Sequence, residues 1–197
     1  MPFVNYAARE INLKIVYYGP GLSGKTTNIK HLHAKADPQR RGALLQLETE
    51  SDRTLFFDFM PLTVGTIGGF GVRLHVYSVP GQIFYAASRR LVMRGADGVV
   101  FVADSQEPRA EANVESLENL WLDVAEHQIE HAPVVMQYNR RDAPTVMPVA
   151  RMRKELNPRG LPEFEAIASR GDGVTETLRA ITRLVMAGLR DQRVASR

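Results

Sequence analysis

The 197-residue chain sets 25 Lys and Arg against 22 Asp and Glu, with 44% hydrophobic and 24% charged residues and no cysteine. That composition suits one soluble globular domain. A net charge of +3 is too slight for a nucleic-acid footprint, and the lack of thiols excludes disulfides, thiolate metal sites and a cysteine nucleophile.

Ile11 to Tyr18 alternates and then turns apolar, which predicts a strand entering a sheet centre. A glycine-rich turn follows, then a helix from Lys25 to about Ala36 on the spacing of Ile29, Leu32 and Ala36, and a loop over Asp37 to Gly42. Thr54 to Met60 and Val72 to Tyr77 read as two strands joined by a turn near Gly65 to Gly71, an antiparallel hairpin at a sheet edge. Short buried strands are expected at Gly98 to Ala103 and Pro133 to Tyr138, with Leu117, Leu120, Trp121 and Val124 on a helix between them. Val149, Met152 and Leu156 suggest a short helix, Phe164 to Ala168 a last strand, and Val174, Leu178, Ile181 and Val185 a closing helix.

Alternation of this kind builds an α/β three-layer sandwich, a mostly parallel sheet with one antiparallel edge strand and helices on both faces. One domain over residues 1–197 is expected, with short tails. No apolar run reaches the roughly 18 residues of a membrane span. The first residues lack a signal-peptide pattern and a Gly at position 2, and the last lack a prenylation cysteine. The expectation is a cytoplasmic chain with no membrane anchor, monomeric alone and not bound to nucleic acid.

Gly19-Pro20-Gly21-Leu22-Ser23-Gly24-Lys25-Thr26 matches G-x-x-x-x-G-K-[ST] and falls between the first strand and the first helix, where a phosphate-binding loop must sit. Its glycines let successive backbone N–H groups turn toward phosphate oxygens, and the helix dipole adds positive potential. Lys25 is expected to neutralise the β- and γ-phosphates. Thr26 would offer its hydroxyl to Mg²⁺, a hard cation that prefers oxygen. Leu22, Ser23 and Thr27 complete the expected phosphate contacts. Such a loop serves ATP or GTP.

Asn139-Arg140-Arg141-Asp142 follows the Pro133 to Tyr138 strand and resembles the N-K-x-D motif of Ras-like GTPases. A carboxylate at Asp142 can accept from both N1–H and the 2-amino group of guanine, a donor pair that adenine lacks. Arg140 stands where that family has a lysine over the base. By alignment on the following Gly-Val, Ala168 falls where the family presents a backbone N–H to the guanine carbonyl, with Ser169 beside it.

The stretches Tyr17 to Thr27, Asp52 to Phe59 and Val79-Pro80-Gly81-Gln82 resemble, more closely, the bacterial MglA-type small Ras-like GTPases, and the likeness runs from about Asn5 to Leu189. The resemblance implies a GTP-binding switch that hydrolyses GTP to GDP with Mg²⁺, slowly without an activating partner. It further implies a role in cell polarity and motility, recruitment to a cell pole, effectors of those processes, and a dimeric Roadblock-type GTPase activator.

From the resemblance, Thr54 is the first-switch threonine, ligating Mg²⁺ and the γ-phosphate, so that loss of that phosphate frees its loop. Gly81 would offer its N–H to the γ-phosphate. Gln82 would orient the attacking water, since phosphoryl transfer needs an in-line nucleophile more than a strong base. Arg53, one residue before Thr54, is either a solvated loop residue or an arginine finger supplied from within the chain; the resemblance favours the finger. Ser78 occupies the place where most Ras-like proteins have an Asp holding a Mg²⁺-bound water, so a weaker metal field is expected.

His127 and His131, near Glu126 and Glu130, could share a helix face, with a solvated helix end the plainer reading, and His31 and His33 point apart. Arg89, Arg90 and Arg94 are expected on a solvated face, with a partner contact the alternative. Two other functions remain: a nucleotide-loaded scaffold with negligible intrinsic hydrolysis, and an ATP-using enzyme, which Asp142 disfavours.

Overall fold

A computed structural model describes residues 3–47, 57–80 and 86–195. The elements run β1 (Phe3–Asn5), β2 (Glu10–Tyr18), α1 (Lys25–Lys35), β3 (Leu45–Leu47), β4 (Phe57–Ile67), β5 (Phe70–Ser78), α2 (Ala86–Met93) and β6 (Gly98–Asp104). A 3-10 turn (Glu107–Arg109), α3 (Ala110–Glu126), β7 (Val134–Asn139), α4 (Val149–Leu156), β8 (Glu163–Glu165) and α5 (Val174–Ala195) complete the order.

The strands form an open mixed sheet in the order β3-β4-β5-β2-β6-β7-β8, with β1 paired antiparallel on β2. Strands β5, β2, β6, β7 and β8 are parallel neighbours, and β4 runs antiparallel beside β5. Every residue of β6 and β7 is buried, as strands covered on both faces must be. One face packs Ile29 and Leu32 of α1 with Val174, Leu178 and Ile181 of α5. The other packs Met93 of α2, Leu117 and Leu120 of α3, and Met152 and Leu156 of α4.

The departures from the expected elements are local. Both hairpin strands run on to a tight turn at Gly68–Gly69, with a register shift between Thr63 and Gly65, because backbone pairing continues past the point where side-chain alternation fades. The short strand β3 lies outside β4, so β4 is not the outermost strand. The last strand stops at Glu165, where Ile167 turns to bridge Asp172. Helix α3 ends at Glu126 and Gln128 takes φ +54, so His127 and His131 share no helix face. Among the described residues no His, Cys, Asp and Glu cluster could hold a metal ion.

Candidate functional site

The site lies at the carboxyl ends of β2, β5, β6 and β7, where an open α/β sheet binds its ligand. Between β2 and α1 the chain makes the phosphate loop, and two glycines there have no substitute. Gly19 takes φ +139, and a Cβ would lie 2.2 Å from the Val102 carbonyl oxygen; Gly24 takes φ +96, and a Cβ would lie 2.2 Å from Asn139 Nδ2. Leu22, also left-handed at φ +67, stands exposed at the tip. A left-handed non-glycine residue costs about 1–2 kcal/mol and persists only where its neighbours hold it.

Lys25 is buried and folds back into the loop, donating Nζ to the carbonyls of Gly19 at 2.8 Å and Pro20 at 2.7 Å. Burial pulls its ammonium down to about 7; Arg89 and Arg109 push the same way and Asp58 opposes them. A cation so short of water and of counter-charge has the environment that an entering phosphate corrects.

Thr26, opening α1, donates its hydroxyl to Asp58 Oδ2 at 2.5 Å, and Ser78, ending β5, donates to the same oxygen at 2.6 Å. Gln46 of the β3 segment donates to the other oxygen at 2.9 Å. Asp58 on β4 was not singled out from the sequence, where it reads as a polar residue between two phenylalanines. Period-2 alternation in β4 gave the only hint that Asp58 shares a face with buried Met60. Thr26, Ser78 and Asp58 thus form an all-oxygen donor set, which suits a hard divalent cation such as Mg²⁺.

On the base side, Asn139 is buried at the end of β7 and donates Nδ2 to the Ser23 carbonyl at 2.7 Å, tying the base motif to the phosphate loop. Its Oδ1 accepts the Ala168 N–H at 2.9 Å. That N–H, expected to meet the guanine carbonyl, therefore also fixes Asn139. Arg140, at φ +62, donates Nε to the Leu22 carbonyl at 3.0 Å. Asp142 and Ser169 are exposed beside this arrangement.

Arg89 is not on a solvated face: it is 7% exposed. Its guanidinium and Asp123 both bond the hydroxyl of Tyr18, and burial followed by Asp123 pushes that hydroxyl's pKa upward. Tyr18 donates to Asp123 Oδ2 at 2.8 Å, so α2, β2 and α3 meet at one buried polar cluster. Arginines are read as solvated by default, and only an aromatic hydroxyl and a carboxylate in distant segments could have signalled otherwise. Arg53, Thr54, Gly81 and Gln82 lie outside the described residues.

The family model for the ADP-ribosylation factor (Arf) family matches residues 3–185. The chain is 55% identical over 192 residues to the mutual gliding-motility protein MglA of Myxococcus xanthus, covering 96% of this chain and 98% of that protein. It is 28% identical over 137 residues to the Ras-related protein SEC4 of Saccharomyces cerevisiae, covering 67% of this chain and 60% of SEC4. No helix among the described residues is long and apolar enough to cross a membrane.

Proposed function

Since the chain belongs to the Arf family of small GTPases, we propose that it is a switch that binds GTP, hydrolyses it to GDP, and controls cell polarity and gliding motility through effectors that distinguish the two states. The observation that carries this reading is the bond from Asn139 to the Ser23 carbonyl, which joins the base motif to the phosphate loop as one nucleotide-shaped site.

In this reading Gly19, Gly21, Leu22, Gly24 and Thr27 line the phosphates with backbone N–H groups, Ser23 joins them by releasing the Pro20 carbonyl that its N–H bonds at 3.3 Å, and Lys25 meets the β- and γ-phosphates. Asp142 accepts from guanine N1–H and N2–H, Arg140 covers the base, and Ala168 and Ser169 bound its carbonyl edge. Mg²⁺, when bound, neutralises charge on the β- and γ-phosphate oxygens. Thr26 and Thr54 would hold it, with Asp58 and Ser78 behind them. Gln82 aligns the attacking water, Gly81 donates to the γ-phosphate, and Arg53 brings a guanidinium to the charge that develops there. A dimeric Roadblock-type activator holds the first switch so that Arg53 points inward, and a cell pole is where the loaded form is recruited.

Single-turnover hydrolysis at saturating activator tests the assignment. Arg53→Ala and Gln82→Ala should each lose roughly 10²-fold or more in stimulated rate with GTP affinity nearly unchanged, and the double variant should be scarcely slower than either. An Arg53→Ala protein stimulated to the wild-type rate must draw its positive charge from the partner. Wild-type protein that binds GTP tightly yet shows no stimulated turnover is the scaffold instead.

A further inference from the structure

Three consecutive carbonyls at the tip of the phosphate loop are gripped from outside by three side chains. Asn139 and Arg140 hold those of Ser23 and Leu22. The third belongs to a residue without a role so far: Arg109, at the end of the 3-10 turn after β6, donates Nη2 to the Gly21 carbonyl at 2.7 Å.

This contact is built rather than casual. Asp104, 1% exposed, lies 3.9 Å from Arg109 Nε and 3.5 Å from Arg140 Nε, so one buried carboxylate sets both guanidiniums. Asp104 is itself fixed. Its Oδ1 accepts the Gln106 backbone N–H at 3.1 Å, and Asn113 of α3 bonds both its backbone N–H and its carbonyl at 2.8 Å. Burying that carboxylate is tolerable only with such partners.

In a planar trans peptide the carbonyl and the next N–H point in opposite directions. Holding the Gly21 carbonyl toward Arg109 therefore points the Leu22 N–H away from Arg109. The guanidinium also polarises that peptide, which strengthens its N–H as a donor.

We propose that Arg109 is a positioning residue for the pyrophosphate part of a bound guanosine di- or triphosphate, acting through the Gly21–Leu22 peptide. The proposal rests on the guanine-nucleotide reading above and adds to it a determinant outside both sequence motifs. Arg109 does not touch the nucleotide; it fixes the peptide that does.

The test compares wild-type protein with Arg109→Ala and Arg109→Lys, by GDP affinity at saturating Mg²⁺ and by the phosphorus resonances of bound GDP. Arg109→Ala should weaken GDP roughly tenfold, the scale of one hydrogen bond from a charged donor. It should shift the β-phosphorus resonance and leave the α-phosphorus resonance in place. Arg109→Lys, which keeps one cationic donor, should recover most of both, and Arg109→Met, which keeps the apolar stem and removes the donor, should show the same losses if Arg109→Ala fails to fold. Unchanged affinity and an unmoved β-phosphorus resonance overturn the role of Arg109, as does a lowered melting temperature with the resonance unmoved. Wild-type protein that does not bind GDP overturns the guanine-nucleotide reading instead.

Discussion

Asp58→Asn keeps the shape of the buried side chain and removes its charge, so the Mg²⁺ dependence of nucleotide release separates what the carboxylate does for the ion from its action on the Lys25 amine. In the structure one oxygen of Asp58 accepts both the Thr26 and the Ser78 hydroxyl protons. A hydroxyl that gives its proton to a carboxylate keeps its lone pairs for a metal, so these bonds can coexist with ligation by Thr26. A full charge about 4 Å from a divalent ion contributes about 2 kcal/mol even in water-like surroundings, or about thirtyfold in affinity. Loss of a carboxylate behind a ligand typically costs about 10–100-fold, which agrees. With GDP loaded, titration of Mg²⁺ against the rate of nucleotide release should give a midpoint about thirtyfold higher for Asp58→Asn than for wild type. An unchanged or lower midpoint would show that the carboxylate does not serve the ion, and the negative charge missing at Ser78 must then come from elsewhere.

Asp142→Asn exchanges an acceptor for a donor, so competition binding should show preference moving from GTP toward XTP; unaltered GTP affinity would place the base pocket elsewhere. The Lys25 ammonium, lowered to about 7 by burial, makes nucleotide binding proton-linked. At pH 8 such a group is about nine-tenths neutral, so GDP binding should take up nearly one proton, against about one-tenth at pH 6, as calorimetry in buffers of different ionisation enthalpy would reveal. The same lowered value means that nucleotide-free protein gains stability as pH rises from about 7 toward 10.5, where the unfolded lysine still holds its proton; a melting temperature flat across that window, after correction for other groups, would contradict it. Leu120→Ala, at a fully buried position on α3, should lower unfolding stability by about 2–5 kcal/mol in denaturant titration, and a loss under 1 kcal/mol would mean the core closes over the gap.

The parts of the site that share a segment were legible, because a phosphate loop needs its glycines, lysine and threonine in fixed order between one strand and one helix. The base motif stood out for the same reason, since Asn139 ends β7 and Asp142 follows three residues on. Asp58 and Arg109 were not. Each reaches the phosphate loop only through sheet order: β4 is brought beside β5 by the hairpin, and the β6–α3 connection is brought beside the loop by the β2–β6 pairing. Helix α2 went unread because its arginines look solvated until Tyr18 and Asp123 are seen to enclose Arg89. The short strands β1 and β3, three residues each, are too brief for alternation to register; pairing with a neighbour, not periodicity, makes them strands.

These contacts also act on the charge of the Lys25 amine. Burial does most to lower the Lys25 amine, Asp58 favours its charged form, and Arg89 and Arg109 oppose it. Asp104 is spent on Arg109 and Arg140, and Asp123 on Tyr18. Neither is positioned to neutralise Lys25. A buried ammonium that donates to carbonyls is costly in the free protein, and the phosphate oxygens of a bound nucleotide would supply its counter-charge. The same accounting separates the two carboxylates by role. Neutralising Asp104 would loosen the outer grip on the loop and weaken GDP whether or not Mg²⁺ is present, whereas neutralising Asp58 leaves that grip intact and acts on the metal and on the Lys25 amine.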